Sequence, residues 1–122
     1  MAAETLTEFD RAYLESFTEP DAELRRAKIE KLWSADGRMV SNDLTVQGVD
    51  NIATHVAHIH EQYLVGHGLT FAYDQHSEAG EALLLRWSML TPDGNTAARG
   101  VDVVFRDTNG QITTVYAFMG IN

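Results

Sequence analysis

Two turn signatures set the plan of the C-terminal half of this chain. Thr91-Pro92-Asp93-Gly94-Asn95 and Asp107-Thr108-Asn109-Gly110 each place Asp and Gly where a tight reversal needs them. Proline presets φ at the first turn position, and glycine takes the φ > 0 position that other residues resist. Around them run segments of strand length and composition: Leu69 to Ser77, Ala82 to Leu90, Ala97 to Arg106 and Gln111 to Met119. Glu78-Ala79-Gly80-Glu81 supplies a third reversal. Short reversals join antiparallel neighbours, so the four segments predict a meander.

The N-terminal half has a different period. Leu6, Phe9, Tyr13 and Phe17 recur at helical spacing over residues 4 to 17. Pro20 cannot continue that helix, and Asp21 is a good N-cap for a second one from about 22 to 34, carrying Leu24, Ile29, Leu32 and Trp33. Asp36-Gly37 reads as its closing turn, with a short strand from Arg38 to Asn42 and an extended piece to Gln47 after it. A third helix opens at Gly48 to Asp50 and runs to about Leu64, with Ile52, Val56, Ile59 and Tyr63 as its apolar face. This order predicts an α+β fold: three helices packed on a strongly curved, mostly antiparallel sheet, a cone with its mouth at one end. With 122 residues the chain has material for one core, so a single domain over residues 1–122 is expected.

Composition narrows the function classes. There is no cysteine, which excludes a disulfide framework and thiolate chemistry. Eighteen acidic residues against nine basic ones give a net charge of −9, which argues against nucleic acid or an anionic membrane surface as partner. The basic residues Arg25, Arg26, Lys28 and Lys31 alternate with Glu23 and Glu30 and read as a solvated helix face. No apolar run approaches the ~18 residues of a membrane helix, and Met1-Ala2-Ala3-Glu4 lacks a signal-peptide pattern. A cytoplasmic location is the expectation.

Several segments carry a resemblance. They are Tyr13 in the first helix, Leu32-Trp33-Ser34-Ala35-Asp36-Gly37, Gly48 before the third helix, Gly100-Val101-Asp102-Val103-Val104, Asn109-Gly110-Gln111-Ile112 and Phe118-Met119-Gly120. In their order and spacing the chain resembles the nuclear transport factor 2-like superfamily, with its SnoaL-like and ketosteroid isomerase-like members. The resemblance implies the cone fold and a pocket. It implies no single activity, since the fold hosts isomerases, cyclases, hydrolases, carriers and assembly modules.

Asp102 interrupts an apolar strand, Val101 to Phe105, where a carboxylate is costly unless paired, hydrogen-bonded or protonated. By resemblance to ketosteroid isomerase, Asp102 and Tyr13 match a protonated Asp and a Tyr that donate to a developing oxyanion. A structural hydrogen bond to Asp102, and core packing for Tyr13, are the plainer alternatives. The isomerase's carboxylate base would fall at Ser41 or Asn42, and neither is a carboxylate; Asp43 is close enough to stand in, or is a surface-turn residue. His55 matches a pocket-wall aromatic and could move a proton near neutral pH, or could sit at a helix–sheet seam. An epoxide hydrolase of the limonene type would need an Asp where Arg86-Trp87-Ser88 stands and another near Ala117, so that branch is not matched.

Helical geometry puts His55 and His60 about 70° to either side of the apolar face and His58 well away from it, so the three do not converge on a metal. His67 and His76 read as loop and strand-face residues. Trp33, Val56, Ile59, Trp87, Phe118 and Met119 are the candidate pocket wall, pending strand parity, which a bulge at Gly94 or Gly110 would flip. The same parity decides whether Arg86 faces Asp102.

The expected function is cofactor-free proton transfer on a small apolar carbonyl compound, as in an isomerase or cyclase. Tyr13 and Asp102 would hold the oxyanion, and His55 or Asp43 would move the proton. No metal or cofactor is expected. The alternatives are a non-catalytic binder of an apolar ligand and an interaction module. Apolar residues on both faces of the Ala82 strand predict a homodimer through the outer sheet face.

Overall fold

A computed structural model describes residues 7–120; Leu6 and the expected helix start at residue 4 lie outside the described residues. Helix α1 (Glu8–Thr18) begins where the Thr7 hydroxyl accepts the Asp10 amide at 3.0 Å and ends just before Pro20. Helix α2 (Ala22–Leu32) begins as predicted, with Asp21 accepting the amides of Glu23 and Leu24. Then come β1 (Trp33–Val40), β2 (Thr45–Gln47), and α3 (Val49–Ile59), which continues as a π-wound segment (His60–Val65). Strands β3 (Thr70–Ala79), β4 (Ala82–Leu90), β5 (Thr96–Arg106) and β6 (Ile112–Met119) complete the described chain.

The sheet order is β2-β1-β6-β5-β4-β3. Consecutive strands from β3 to β6 pair antiparallel, as the turn signatures predict, and β1 lies parallel to β6. The α+β reading therefore holds. The sheet stays open and is not rolled on itself: β2 and β3 are its edges, and a helical layer closes one face. Among the described residues no helix is long and apolar enough to cross a membrane.

The expected end of α2 needs correcting. Trp33 and Ser34 open β1, and Asp36-Gly37 lie within that strand instead of forming a turn. The reason is a bulge: five steps on β1, Trp33 to Arg38, face two on β6, Ile112 to Thr114. Gly37 makes this possible, since a Cβ there would stand 2.5 Å from the Trp33 ring.

The core lies between the helical layer and the inner sheet face. Tyr13, Ile29, Leu32, Trp33, Ile52 and Val56 meet Leu83, Leu85, Val104, Ile112 and Val115 there. Each fully buried aliphatic chain contributes about 1.5–3 kcal/mol. Strand alternation turns Leu83, Leu85, Trp87 and Met89 of β4 inward and Arg86 outward, where its Nε donates to Gln75 Oε1 at 3.3 Å. Arg86 is thus no counter-ion for Asp102.

Candidate functional site

At one end of the layer the core gives way to a cavity of about 270 Å³. Aromatic and thioether side chains stand in its wall from several elements: Phe17 from α1, Phe71 and Tyr73 from β3, Trp87 and Met89 from β4, and Met39 and Met119 from β1 and β6. Asp102 is the carboxylate that reaches it from β5. Ser41, Asp43, His55, His58 and Gln62 give it a polar side, and neither Lys nor Arg lines it.

Asp102 pairs with Leu85 across β4 and β5 and points to the inner face. It is 8% exposed. The Tyr13 hydroxyl donates to its Oδ2 at 2.8 Å, and the Trp87 indole Nε1–H donates to its Oδ1 at 3.1 Å. Burial pushes the carboxyl pKa up, and the two donors, which favour the charged form, oppose the rise; the outcome is about 6. The Tyr13 hydroxyl is held well above its ordinary value, first by burial and then by the charge of Asp102. Tyr73 is raised the same way, and its ring stacks on Tyr13 at 6.4 Å.

The Tyr13–Asp102 bond is therefore present, in the form of the plainer alternative: the hydroxyl is spent on the carboxylate. Tyr13 itself sits behind the carboxyl, fully buried and absent from the cavity wall, so Asp102 is the member of the pair that reaches the cavity. Of the other candidates, His55, Asp43, Ile59, Trp87 and Met119 line the cavity. Burial, and secondarily His58, lowers the pKa of half-buried His55, so its imidazole is neutral at pH 7.

Three candidates fall elsewhere. Trp33, 2% exposed, fills the core against Gly37, and Val56, 1% exposed, packs in the same core. Phe118 points to the outer face, because it pairs with Val101 in a register that sends its neighbours Ala117 and Met119 inward. His58 also departs from expectation by lining the cavity. The cavity lies along the flank of α3 that bears His55, His58 and Ile59, while the stripe of Ile52, Val56 and His60 faces the core. His60 Nδ1–H donates to the Phe17 carbonyl at 2.8 Å and takes no part in the site.

Two features escaped the sequence reading. One is the Trp87 donor: a one-residue bulge just inside the Thr91–Asn95 turn shifts the β4–β5 register, and only that shift puts Trp87 and Asp102 on one face. The other is a second buried carboxylate, Asp10, 1% exposed on α1. His76 Nδ1 lies 2.7 Å from Asp10 Oδ2, and His76 Nε2 lies 2.9 Å from Glu78 Oε2. A carboxylate oxygen accepts, so a protonated imidazole serves both neighbours; the His76 pKa is raised from its ordinary value, first by the bond to Glu78 and, against burial, by the bond to Asp10. Its spacing of two from Glu78 on a strand was the available signal.

No protein-family model matches the chain, and no curated protein sequence does. Solved structures do. An Agrobacterium tumefaciens protein of the SnoaL-like family, described provisionally as an isomerase, is 27% identical, with a TM-score of 0.81 over 91% of this chain and 93% of that one. A nuclear transport factor 2-like protein of unknown function from Exiguobacterium is 19% identical, with a TM-score of 0.71 over 93% and 99%. A Sinorhizobium meliloti protein described provisionally as a polyketide cyclase is 12% identical, with a TM-score of 0.70 over 96% and 99%. These structures bear out the resemblance to the nuclear transport factor 2-like superfamily.

Proposed function

For a chain with a nuclear transport factor 2-like fold and this pocket, we propose cofactor-free proton transfer on a small, mostly apolar carbonyl compound. The observation that carries the reading is Asp102: a carboxyl in an apolar cavity, gripped on both oxygens, with a pKa pushed to about 6. A general base works best when its pKa lies near the working pH. At pH 7 Asp102 is mostly ionised and accepts both protein hydrogen bonds, so it serves as the base, a reversal of the oxyanion-donor role that the resemblance implies. His55, a cavity-wall imidazole whose pKa burial lowers, then serves as the N–H donor to the developing enolate oxygen.

Asp102 takes the proton from the carbon beside the carbonyl, and the C–H electron pair becomes the enolate. Returning that proton at a conjugated carbon gives an isomer. Attack of the enolate carbon on a second carbonyl gives a ring, with the proton delivered to the new alkoxide. Asp43, exposed on the β1–β2 loop at the cavity wall, is the alternative base.

The test is exchange of α-protons of 2-tetralone in D₂O, followed by NMR, with saturation transfer reporting binding. Exchange by the parent and Asp43→Asn, but not by Asp102→Asn, supports the reading. Loss in Asp43→Asn alone moves the base to Asp43. Binding without exchange in the parent leaves the non-catalytic binder, and absence of both removes the pocket from consideration.

The same proposal includes a homodimer through the outer sheet face. Tyr116 and Phe118 are 36% and 42% exposed there, beside Val101 of β5. Sedimentation of the parent against Phe118→Glu tests it: a dimer converting to monomer supports the pairing, and a monomeric parent rejects it.

A further inference from the structure

Trp87 counts among the wall residues of the cavity, yet its geometry is more specific than apolar packing requires. Its indole covers Gly100 of β5, the residue paired with it. A Cβ at Gly100 would stand 2.2 Å from Trp87 Cζ2 and 2.6 Å from Cε2, so the ring occupies the space that any other residue's side chain would need. Phe71 closes on the ring edge-on at 5.8 Å and 80°. Seated between the slot and the flanking ring, the indole points Nε1–H at Asp102 Oδ1, two residues along β5 from the slot.

Trp33 is the internal contrast. It too lies on a glycine, Gly37, but in the core. A glycine slot by itself holds a tryptophan. The Trp87 slot in addition aims its one donor at a buried carboxylate.

We propose that Trp87 is a positioning residue for Asp102: held in the Gly100 slot, it fixes the carboxyl's rotation and sets its proton affinity from the side opposite Tyr13. This rests on the reading of Asp102 as the proton-transfer group. With Tyr13 on Oδ2 and Trp87 on Oδ1, the carboxyl cannot rotate without losing a donor, and its remaining lone pairs are the ones left for the cavity. Both donors stabilise the ionised form, and so counter the burial that would otherwise keep Asp102 protonated near neutral pH. The other titratable groups facing the cavity with Asp102 are Tyr73 from β3, His55 and His58 from α3, Tyr63 from the π-wound segment and Asp43 from the β1–β2 loop.

The experiment reads the Asp102 carboxyl by ¹³C NMR from pH 4 to 8 in the parent and in Trp87→Phe, which keeps an aromatic side chain at this position but removes the N–H and part of the ring that fills the slot. The parent should titrate near 6. The variant should bind the Asp102 proton about tenfold more tightly, moving the midpoint up by about one unit. An unmoved midpoint in a folded Trp87→Phe overturns the proposal and leaves the base assignment standing. A parent midpoint near the ordinary carboxylate value defeats the base assignment itself.

A measurement on the parent covers the case in which the variant does not fold. The chain has two tryptophans, hence two indole N–H signals. The Trp87 signal should shift with the Asp102 midpoint, while the Trp33 signal should show no such step. A Trp87 indole signal insensitive to that titration contradicts the proposal.

Discussion

The inner face of this protein buries two carboxylates, and it treats them differently. Asp10, 1% exposed, is met by His76, which carries a positive charge below its raised pKa, joins α1 to β3 and reaches on to Glu78. Asp102, 8% exposed, is met by two neutral donors and has no Lys or Arg beside it. A buried carboxylate paired with a cation is neutralised in place and serves as a latch. One held by neutral donors keeps its own proton equilibrium, and the apolar cavity moves that equilibrium toward neutrality. The fold thus separates architecture from chemistry by the choice of partner, though the two residues have the same side chain.

The contrast can be broken at the latch first. His76→Ala strips Asp10 of the partner shown here, and its Oδ1 already lacks one. Orphaning a buried charge typically costs about 3–5 kcal/mol. We expect a loss of that size in urea unfolding at pH 6, with ligand binding in the cavity retained. Adding Asp10→Ala should cost less than the sum of the two single changes. A loss under 1 kcal/mol would mean that Asp10 needs no cation.

Stability against pH sharpens it next. Asp102 has its pKa raised from 3.8 to about 6, so the folded state binds its proton more tightly than the unfolded state does. Stability from this group is greatest below about pH 4 and falls as pH rises through about 6, by (6 − 3.8) × ~1.36, about 3 kcal/mol. Asp102→Asn should lack this decline. The pKa of His76 is also raised, first through its bond to Glu78, so its contribution is present below its unfolded value and lost as pH climbs past its folded one. The parent should therefore show a second decline at higher pH that His76→Asn lacks.

Smaller effects separate chemistry from fold. Asp102→Asn should cut 2-tetralone α-proton exchange at least about 100-fold while the protein remains folded by circular dichroism. Tyr13→Phe, which removes one neutral donor, should cost about 1 kcal/mol in stability and raise the Asp102 midpoint. A lowered midpoint would contradict the role given to that hydroxyl.

Much of the fold was legible in the sequence. Period, N-caps and turn residues located the helices and the meander, because each is a local signal. Legibility failed where a single inserted residue decides. The β3–β4, β4–β5 and β5–β6 pairings all carry a register shift, at Tyr73/Gln75, Met89/Leu90 and Phe105/Arg106. A one-residue shift reverses every side chain beyond it, so the faces of Arg86, Trp87 and Phe118 could not be read in advance. Asp102 was legible as an anomaly in an apolar strand, and Tyr13 as its partner by resemblance. The latch was not, since Asp10 and His76 are 66 residues apart and look ordinary in their own elements.

The most direct test is the ¹³C titration of the Asp102 carboxyl in the parent. The Asp102 midpoint should lie near 6 in the parent and fall in Phe71→Ala, which opens the cavity wall, because the added water favours the charged form. An Asp102 midpoint near 4 in the parent, indistinguishable from that of an exposed aspartate, would contradict it.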